Sequence, residues 1–580
     1  MNAEILKTTI AASSKQSVPD LVITNGKVID VFNLTIIEAD VAVSGGLIVG
    51  IGSYPDAIQK IDAKGAYVCP GLIDGHIHIE SAMVPPEEFS KIVVPKGVTT
   101  VIADPHEIAN VGGADAVRYM IDASKDLPLD IKMMIPSCVP AAPFEHNGAD
   151  VTATDVKALF EEGHAFGLGE VMNYPAVLSG ETDMLEKIVS AHTGGHVVDG
   201  HAAGLDIYAL NAYRTAGIRN DHEAVTAEEA LERVRRGMYV LIREGTAAKD
   251  LEALLPAITP ANARRFAFAT DDRHLDHLIK EGSIDGSIRK AIKLGMSELQ
   301  AIQLATLNAA EAFGLQEKGA IAPGYEATFL LVKDLSTFTV DSVFVKGELH
   351  ATNDELVQNV REPIDAPDHL LKSMNMAPVT LQDLLLPANP GQEATIIESS
   401  PGSIITKSIK EPIQVREGCF QPDPAKNQLK LTVVERHKQR GNVGLGIVKG
   451  IPIQNGAIVS TVAHDSHNVI ACGTDDESIL AAINHVKEID GGMAVVKEGK
   501  VVASLSLDLA GLMSTKPHKI VQKDIQALEH ALQTIGFNED WDPFLTLAFL
   551  ALPVIPALKL TDTGLFDVTQ FKHVSIQGSH

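Results

Sequence analysis

The chain is short of cysteine, of positive charge and of long apolar runs, and each shortage narrows what it can be. Its four cysteines, Cys69, Cys138, Cys419 and Cys472, are scattered through 580 residues without CxxC spacing. That argues against a disulfide framework or a zinc ribbon and fits a reduced, cytoplasmic setting. Lys and Arg number 48 against 75 Asp and Glu, a net charge of −27 with pI near 5.2. Nucleic acid and anionic membrane surfaces are therefore not expected as partners. The greasiest run, Phe544 to Leu558, is 15 residues and contains Pro553 and Pro556. A membrane helix needs about 20, so this reads as a buried or interface segment. Residues 1 to 7 hold no basic segment leading into an apolar core, so no signal peptide is expected. Low-complexity tracts and short-period repeats are missing too.

What is there is globular: 45% hydrophobic and 21% charged, with 46 Gly and 29 Pro. At this length two to four domains are expected. Residues 20 to 68 read as short strands (Leu21–Ile23, Lys27–Ile29, Asp40–Val43, Leu47–Ile51) parted by turns at Asn25-Gly26 and Gly45-Gly46. This predicts a small antiparallel β unit. The same texture returns at 326–350, which suggests one β-domain built from both flanks of a central insert. The insert alternates apolar strands with helical stretches such as Thr226–Arg236 and Ser297–Phe313. Candidate strands are 72–79, 98–104, 131–137, 165–171, 196–202, 216–222, 238–243 and 266–271. Eight such units predict a (β/α)8 TIM-like barrel, with its site at the strands' C-terminal ends. The expected division is 1–69 and 321–360 for the β-sandwich domain, 70–320 for the barrel and 361–395 for a Pro-rich linker. Residues 396–580 then form an α+β domain, with strand-like runs at Ser403–Ile405, Lys430–Val434 and Ala457–Ser460 and a helix near 476–489.

The chemistry gathers on the barrel. Residues 70–81 (Pro-Gly-Leu-Ile-Asp-Gly-His-Ile-His-Ile-Glu-Ser) place His76 and His78 two apart on an apolar strand, so both imidazoles face one side. A pair so placed can hold a metal at about 2 Å. Glu170 follows the fourth strand, His201 ends the fifth, His222 the sixth and Asp271 the eighth. Each alone has an ordinary structural reading; together they converge on one barrel mouth. Four imidazoles and two carboxylates are too many for one catalytic metal but suit two, with Glu170 able to bridge them. Imidazole and carboxylate ligands admit Zn, Mn or Fe(II). Asp271 is the candidate proton carrier, for hydrolysis at an sp² carbon bearing nitrogen. Asp272 lies beside it, and strand alternation would aim one inward and the other away; Asp271 continues the strand directly.

Further residues share this mouth. His106 and Glu107 follow the second strand and suit purine recognition, proton delivery or support of the ligands. Glu80 and Ser81 suit a supporting role. His464-Asp465-Ser466-His467-Asn468, after an apolar strand in the third domain, could close over the site, bind a further metal or form a polar turn. His192, His196 and His274 are read as structural or solvated.

The H-x-H, the two later histidines and the eighth-strand aspartate resemble the amidohydrolase superfamily. Glu170 stands where many of its members carry a carbamylated lysine. The stretches Pro70–Val84, Asp104–Val111, Ala269–His274 and Ala463–Asn468 are similar to the adenine deaminase family, and the likeness spans nearly the whole chain. The resemblance implies conversion of adenine and water to hypoxanthine and ammonia, as in purine salvage. It implies two divalent metals per chain, Mn(II) or Fe(II) favoured over Zn(II), held by His76, His78, Glu170, His201, His222 and Asp271. Asp271 and Glu170 would be the catalytic carboxylates. The expected state is a homo-oligomer, a dimer being the simplest. Two other readings stay open: a related hydrolase cutting a cyclic amide or N-acyl bond, and a non-catalytic barrel scaffold.

Overall fold

A computed structural model describes residues 3–400 and 403–577. Its centre is a ring of eight short parallel strands: β1 (Leu72–Ile77), β2 (Val98–Ala103), β3 (Asp130–Ile135), β4 (Gly167–Val171), β5 (Val197–Gly200), β6 (Asn220–Asp221), β7 (Tyr239–Arg243) and β8 (Phe266–Ala269). Five pair in the order β5-β4-β3-β2-β1 and three in the order β6-β7-β8. The arcs meet where Ile77 bridges Asp271 in parallel and the Asp271 amide donates to the His76 carbonyl at 2.9 Å. Every residue of β1, β2, β4, β7 and β8 is buried. That is the signature of strands covered on both faces by crossover helices, and the result is the (β/α)8 barrel expected.

Several predicted boundaries shift for physical reasons. The sixth strand shrinks from 216–222 to two residues, because Gly217 takes a positive φ of 94° just before it. The helix expected over Ser297–Phe313 is two, Glu298–Leu304 and Leu307–Phe313, broken at Thr306, whose φ of −135° and ψ of −89° lie outside the helical region. The helix at 226–236 runs Ala227–Arg235, with Thr226 and Glu229 forming a reciprocal cap. Residues 403–405 are not a strand; the strand there begins at Lys407.

The flanking β unit is mixed rather than antiparallel. Leu21–Thr24 pairs in parallel with Gln59–Asp62, and Lys27–Asp30 in parallel with Tyr67–Pro70. Asn25-Gly26 is accordingly no hairpin turn: the strands on either side of it belong to different sheets. The return strands do join the N-terminal ones, Phe329–Asp334 pairing antiparallel with Tyr67–Pro70. Val28, Val41, Ile48, Val68, Phe329 and Phe344 fill the space between the two sheets.

The C-terminal part is built on an eight-stranded sheet: β9 (Glu393–Glu398), β10 (Lys407–Pro412), β11 (Gln428–Val434), β12 (Val443–Lys449), β13 (Ala457–Ser460), β14 (Val469–Gly473), β15 (Gly492–Lys497) and β16 (Lys500–Ser506). Their order is β10-β9-β12-β11-β14-β13-β15-β16. The turn joining β13 to β14 carries residues 463–468. Among the described residues no helix is long and apolar enough to cross a membrane.

Candidate active site

The barrel's period-two strands deliver the polar side chains to one point. Asp74, His76 and His78 leave the same side of β1 and its end, and all are buried. The Nε2 atoms of His76 and His78 lie 3.2 Å apart. Each ring is held by its other nitrogen, His76 Nδ1 to Asp199 Oδ2 at 2.9 Å and His78 Nδ1 to the Asp104 carbonyl at 2.8 Å. A histidine pinned through one nitrogen presents the other in a fixed direction, as metal ligands do. Asp74 accepts from the Thr270 amide at 3.0 Å and from its hydroxyl at 2.5 Å, tying β1 to the end of β8.

Glu170 sits at the centre, and its two oxygens face different partners. Oε1 lies 3.3 Å from His78 Nε2 and 3.7 Å from His76 Nε2. Oε2 lies 2.6 Å from His201 Nδ1 and 3.3 Å from His222 Nε2. A Cβ on the preceding Gly169 would overlap the Asp104 carboxylate, whose Oδ2 accepts the Glu170 amide at 2.9 Å. Asp271 closes the group, its Oδ1 3.2 Å from His78 Nε2 and its Oδ2 3.4 Å from Arg243 Nη1.

The alternation argument for Asp271 and Asp272 fails here. Asp271 takes a left-handed φ of 56°, which ends the strand and breaks the period of two. Both side chains therefore line the cavity, Asp272 accepting from Ser81 Oγ at 2.5 Å.

Electrostatics follow from crowding. Burial disfavours the imidazolium of His76, but the Asp199 hydrogen bond and the Glu170 charge outweigh it and push the pKa to about 9. His201 also reaches about 9, the charge of Glu223 and the Glu170 hydrogen bond overcoming burial. Burial would lift Glu170, yet hydrogen bonds from His201, His222 and His78 hold it well below the usual carboxylate range. Asp271 is likewise held ionised against burial by His78, His222 and Arg243. Protons gathered on such a cluster are the ones a bound cation displaces.

The donors fit divalent cations. His76, His78 and Glu170 form one trio with ligand atoms within 4.8 Å, and Glu170, His201 and His222 form a second that shares the glutamate. His222 Nδ1 is buried without a hydrogen-bond partner. Glu107, His464 and His467 make a further trio, but His467 Nδ1 accepts the Ala463 amide at 3.3 Å. That leaves the proton on Nε2, which is buried 4.0 Å from Glu107 Oε2 without a hydrogen-bond partner.

The other expected residues divide. His106, Glu107, His464 and Asp465 line the cavity. His106 Nδ1 stands 3.5 Å from Glu170 Oε1. Glu80, Ser81 and His467 are buried behind it, Glu80 accepting the Ile108 amide at 3.2 Å. His192, His196 and His274 lie away from the cavity: His196 stacks on Phe160, and His274 pairs with Asp542 at 3.3 Å. Sequence reasoning missed Asp199, Arg243 and the apolar wall. Asp199 precedes His201 by two on β5, the spacing that flagged His76 and His78. Arg243, which pairs with Glu223, Asp250 and Asp271, carried no local signal. The wall is Ile404, Phe549, Leu552 and Ile555, so the Phe544–Leu558 run covers this cavity, with Phe549 stacked on His464 at 4.5 Å.

Comparison with known proteins covers both parts of the chain. The amidohydrolase family profile matches residues 67–350, and that of the adenine deaminase C-terminal domain matches 403–572. The adenine deaminase of Halalkalibacterium halodurans is 55% identical over 99% of this chain and 98% of its own. That of Geobacillus kaustophilus is 51% identical over 99% of both, and that of Bacillus subtilis 47% over the full length of both. With nearly the whole chain matched by such relatives, the chain belongs to the adenine deaminase family of the amidohydrolase superfamily.

Proposed function

We propose that the chain hydrolyses adenine to hypoxanthine and ammonia, using two divalent cations held by His76, His78, Glu170, His201, His222 and Asp271, with Mn(II) or Fe(II) favoured over Zn(II). The observation that carries the two-ion reading is Glu170, whose oxygens each face a separate pair of histidines. Such ions, when bound, make water a nucleophile near neutral pH. The chain's own residues supply the rest. Asp199 and the Asp104 carbonyl aim His76 and His78, and Glu170 spans the two histidine pairs. Asp271, kept ionised by His78 and Arg243, takes the proton from the attacking water and returns it to the departing nitrogen, so that ammonia leaves neutral. Ile404, Phe549, Leu552 and Ile555 exclude bulk water, which strengthens each charge interaction inside.

The test is metal content together with ammonia release from adenine, on protein produced with Mn(II) or Fe(II). Two ions per chain and rapid ammonia release are expected. Two ions with product that retains all its nitrogen would instead favour cleavage of a cyclic amide or N-acyl bond. A folded chain that takes up no metal would remove the reading.

A further inference from the structure

The turn at 463–468 is anchored to the protein at nearly every polar atom. The His467 amide donates to the Ala463 carbonyl at 2.7 Å, and the His467 carbonyl accepts from the buried Arg436 guanidinium. The Ser466 carbonyl accepts from His437 Nε2 at 2.7 Å. Asn468 Oδ1 accepts the Arg436 amide at 3.2 Å, and its Nδ2 donates to the His146 carbonyl at 2.7 Å. The His464 amide reaches the Ala548 carbonyl at 3.2 Å.

Asp465 and the His467 ring are the exceptions, and of the two only Asp465 lines the cavity. The Asp465 side chain is 5% exposed and lines the cavity, yet Oδ2 has no hydrogen-bond partner. The nearest imidazole nitrogens to Oδ1 are His464 Nδ1 at 3.8 Å and His106 Nε2 at 3.9 Å, both too far to hydrogen-bond. Glu107, the neighbouring carboxylate, differs in accepting from Ser81 Oγ at 3.4 Å and facing two histidines. A buried acceptor left unpaired is costly, and here it faces the space a substrate would fill.

The chemistry of the base selects the donor. The His106 ring stands between Asp465 and the metal-ligand cluster, with Nε2 toward Asp465 and Nδ1 3.5 Å from Glu170 Oε1. Asp465 lines the same cavity as Glu170 and Asp271, with the His106 ring between it and Glu170. With the amino-bearing carbon of adenine at Asp271, the opposite edge of the base is its five-membered ring, which carries the only ring N–H. A carboxylate can only accept.

We infer that Asp465, supplied by the C-terminal sheet, accepts the imidazole N–H of the bound base and so admits free purine bases while rejecting their 9-substituted derivatives, nucleosides included. This rests on the deaminase reading. In a nucleoside the sugar replaces that hydrogen, and Asp465 stays buried and unpaired. Sites built to bond a donor reject analogues lacking it far more strongly than apolar pockets reject shape.

The test uses the full metal-loaded chain with adenine and with 9-methyladenine, in which a methyl group replaces the N–H. The wild type should prefer adenine by at least about 10²-fold in kcat/KM. Asp465→Ala should lose about 10²-fold on adenine, chiefly through KM, and bring the two substrates within a few-fold of each other, with metal content unchanged. If that variant fails to fold, Asp465→Asn, which keeps the shape and a neutral acceptor, should still cut the preference about tenfold. A preference unchanged in the folded variants overturns the assignment, as does a wild type that deaminates both substrates equally, which leaves the deaminase reading standing. A wild type that releases no ammonia from adenine removes both.

Discussion

At the scale of single residues, the site depends on how a few side chains are aimed. Asp271 holds a left-handed backbone that aspartate tolerates better than most residues. Its amide closes the barrel on His76 while its carboxylate meets His78 and Arg243. Asp271→Asn keeps the shape but cannot take a proton. Turnover should fall by about 10²–10⁴-fold with most of the metal retained, read by steady-state kinetics beside metal analysis; unchanged turnover would take Asp271 out of the mechanism. His76→Ala removes a ligand outright, so metal content and activity should fall together. Asp199 acts one step back, fixing which nitrogen of His76 is free. Asp199→Asn should weaken metal affinity about 10–100-fold, measured by competition with a chelator.

At the scale of elements, the C-terminal wall is positioned by a lysine. Lys559 is fully buried, and its Nζ donates to the carbonyls of Ile404 at 2.8 Å and Phe549 at 2.9 Å, two residues that line the cavity. Burial without a carboxylate partner pushes its pKa down to about 7. Methionine would fill the same space, leaving the Ile404 carbonyl without its lysine and the Phe549 carbonyl with only the Leu552 amide at 3.4 Å. Lys559→Met should therefore raise KM for adenine about tenfold while metal content and kcat stay near wild type. An unaltered KM would show that the wall holds its place without the lysine.

At the scale of the whole molecule, a buried carboxylate of the barrel is bonded to a histidine of the C-terminal part. Glu88, on the helix after β1, accepts from the amide of His518 at 2.9 Å and from its Nδ1 at 2.7 Å, with Lys91 at 2.5 Å on the other oxygen. Burial alone would raise its pKa, but these bonds lower it to about 2. A carboxyl lowered on folding adds stability that is complete above its unfolded pKa, near 4.5, and is lost as pH falls toward 2. Glu88→Gln should cost about 2 kcal/mol at neutral pH. The gap from wild type should close as the pH drops from about 4.5 to about 2, as followed by thermal melts across that range. A gap that persists at the lowest pH would assign the cost to packing.

Much of this protein is written locally in its sequence. The period of two that sends His76 and His78 one way, and the runs of buried aliphatic residues that make strands parallel, are properties of neighbouring positions. They were enough to place the barrel, its mouth and most of the polar residues around Glu170. Other features had to await the folded chain, because their partners lie far apart in sequence. Arg243 reaches Asp271 across 28 positions and Asp74 reaches Thr270 across 196. The left-handed turn that sends both Asp271 and Asp272 into the cavity depends on closure of β8 against β1, which no local pattern encodes. The apolar run at 544–558 looked the same as any buried segment. Only packing of the C-terminal sheet against the barrel made it the wall of the site and left Asp465 facing the cavity without a partner.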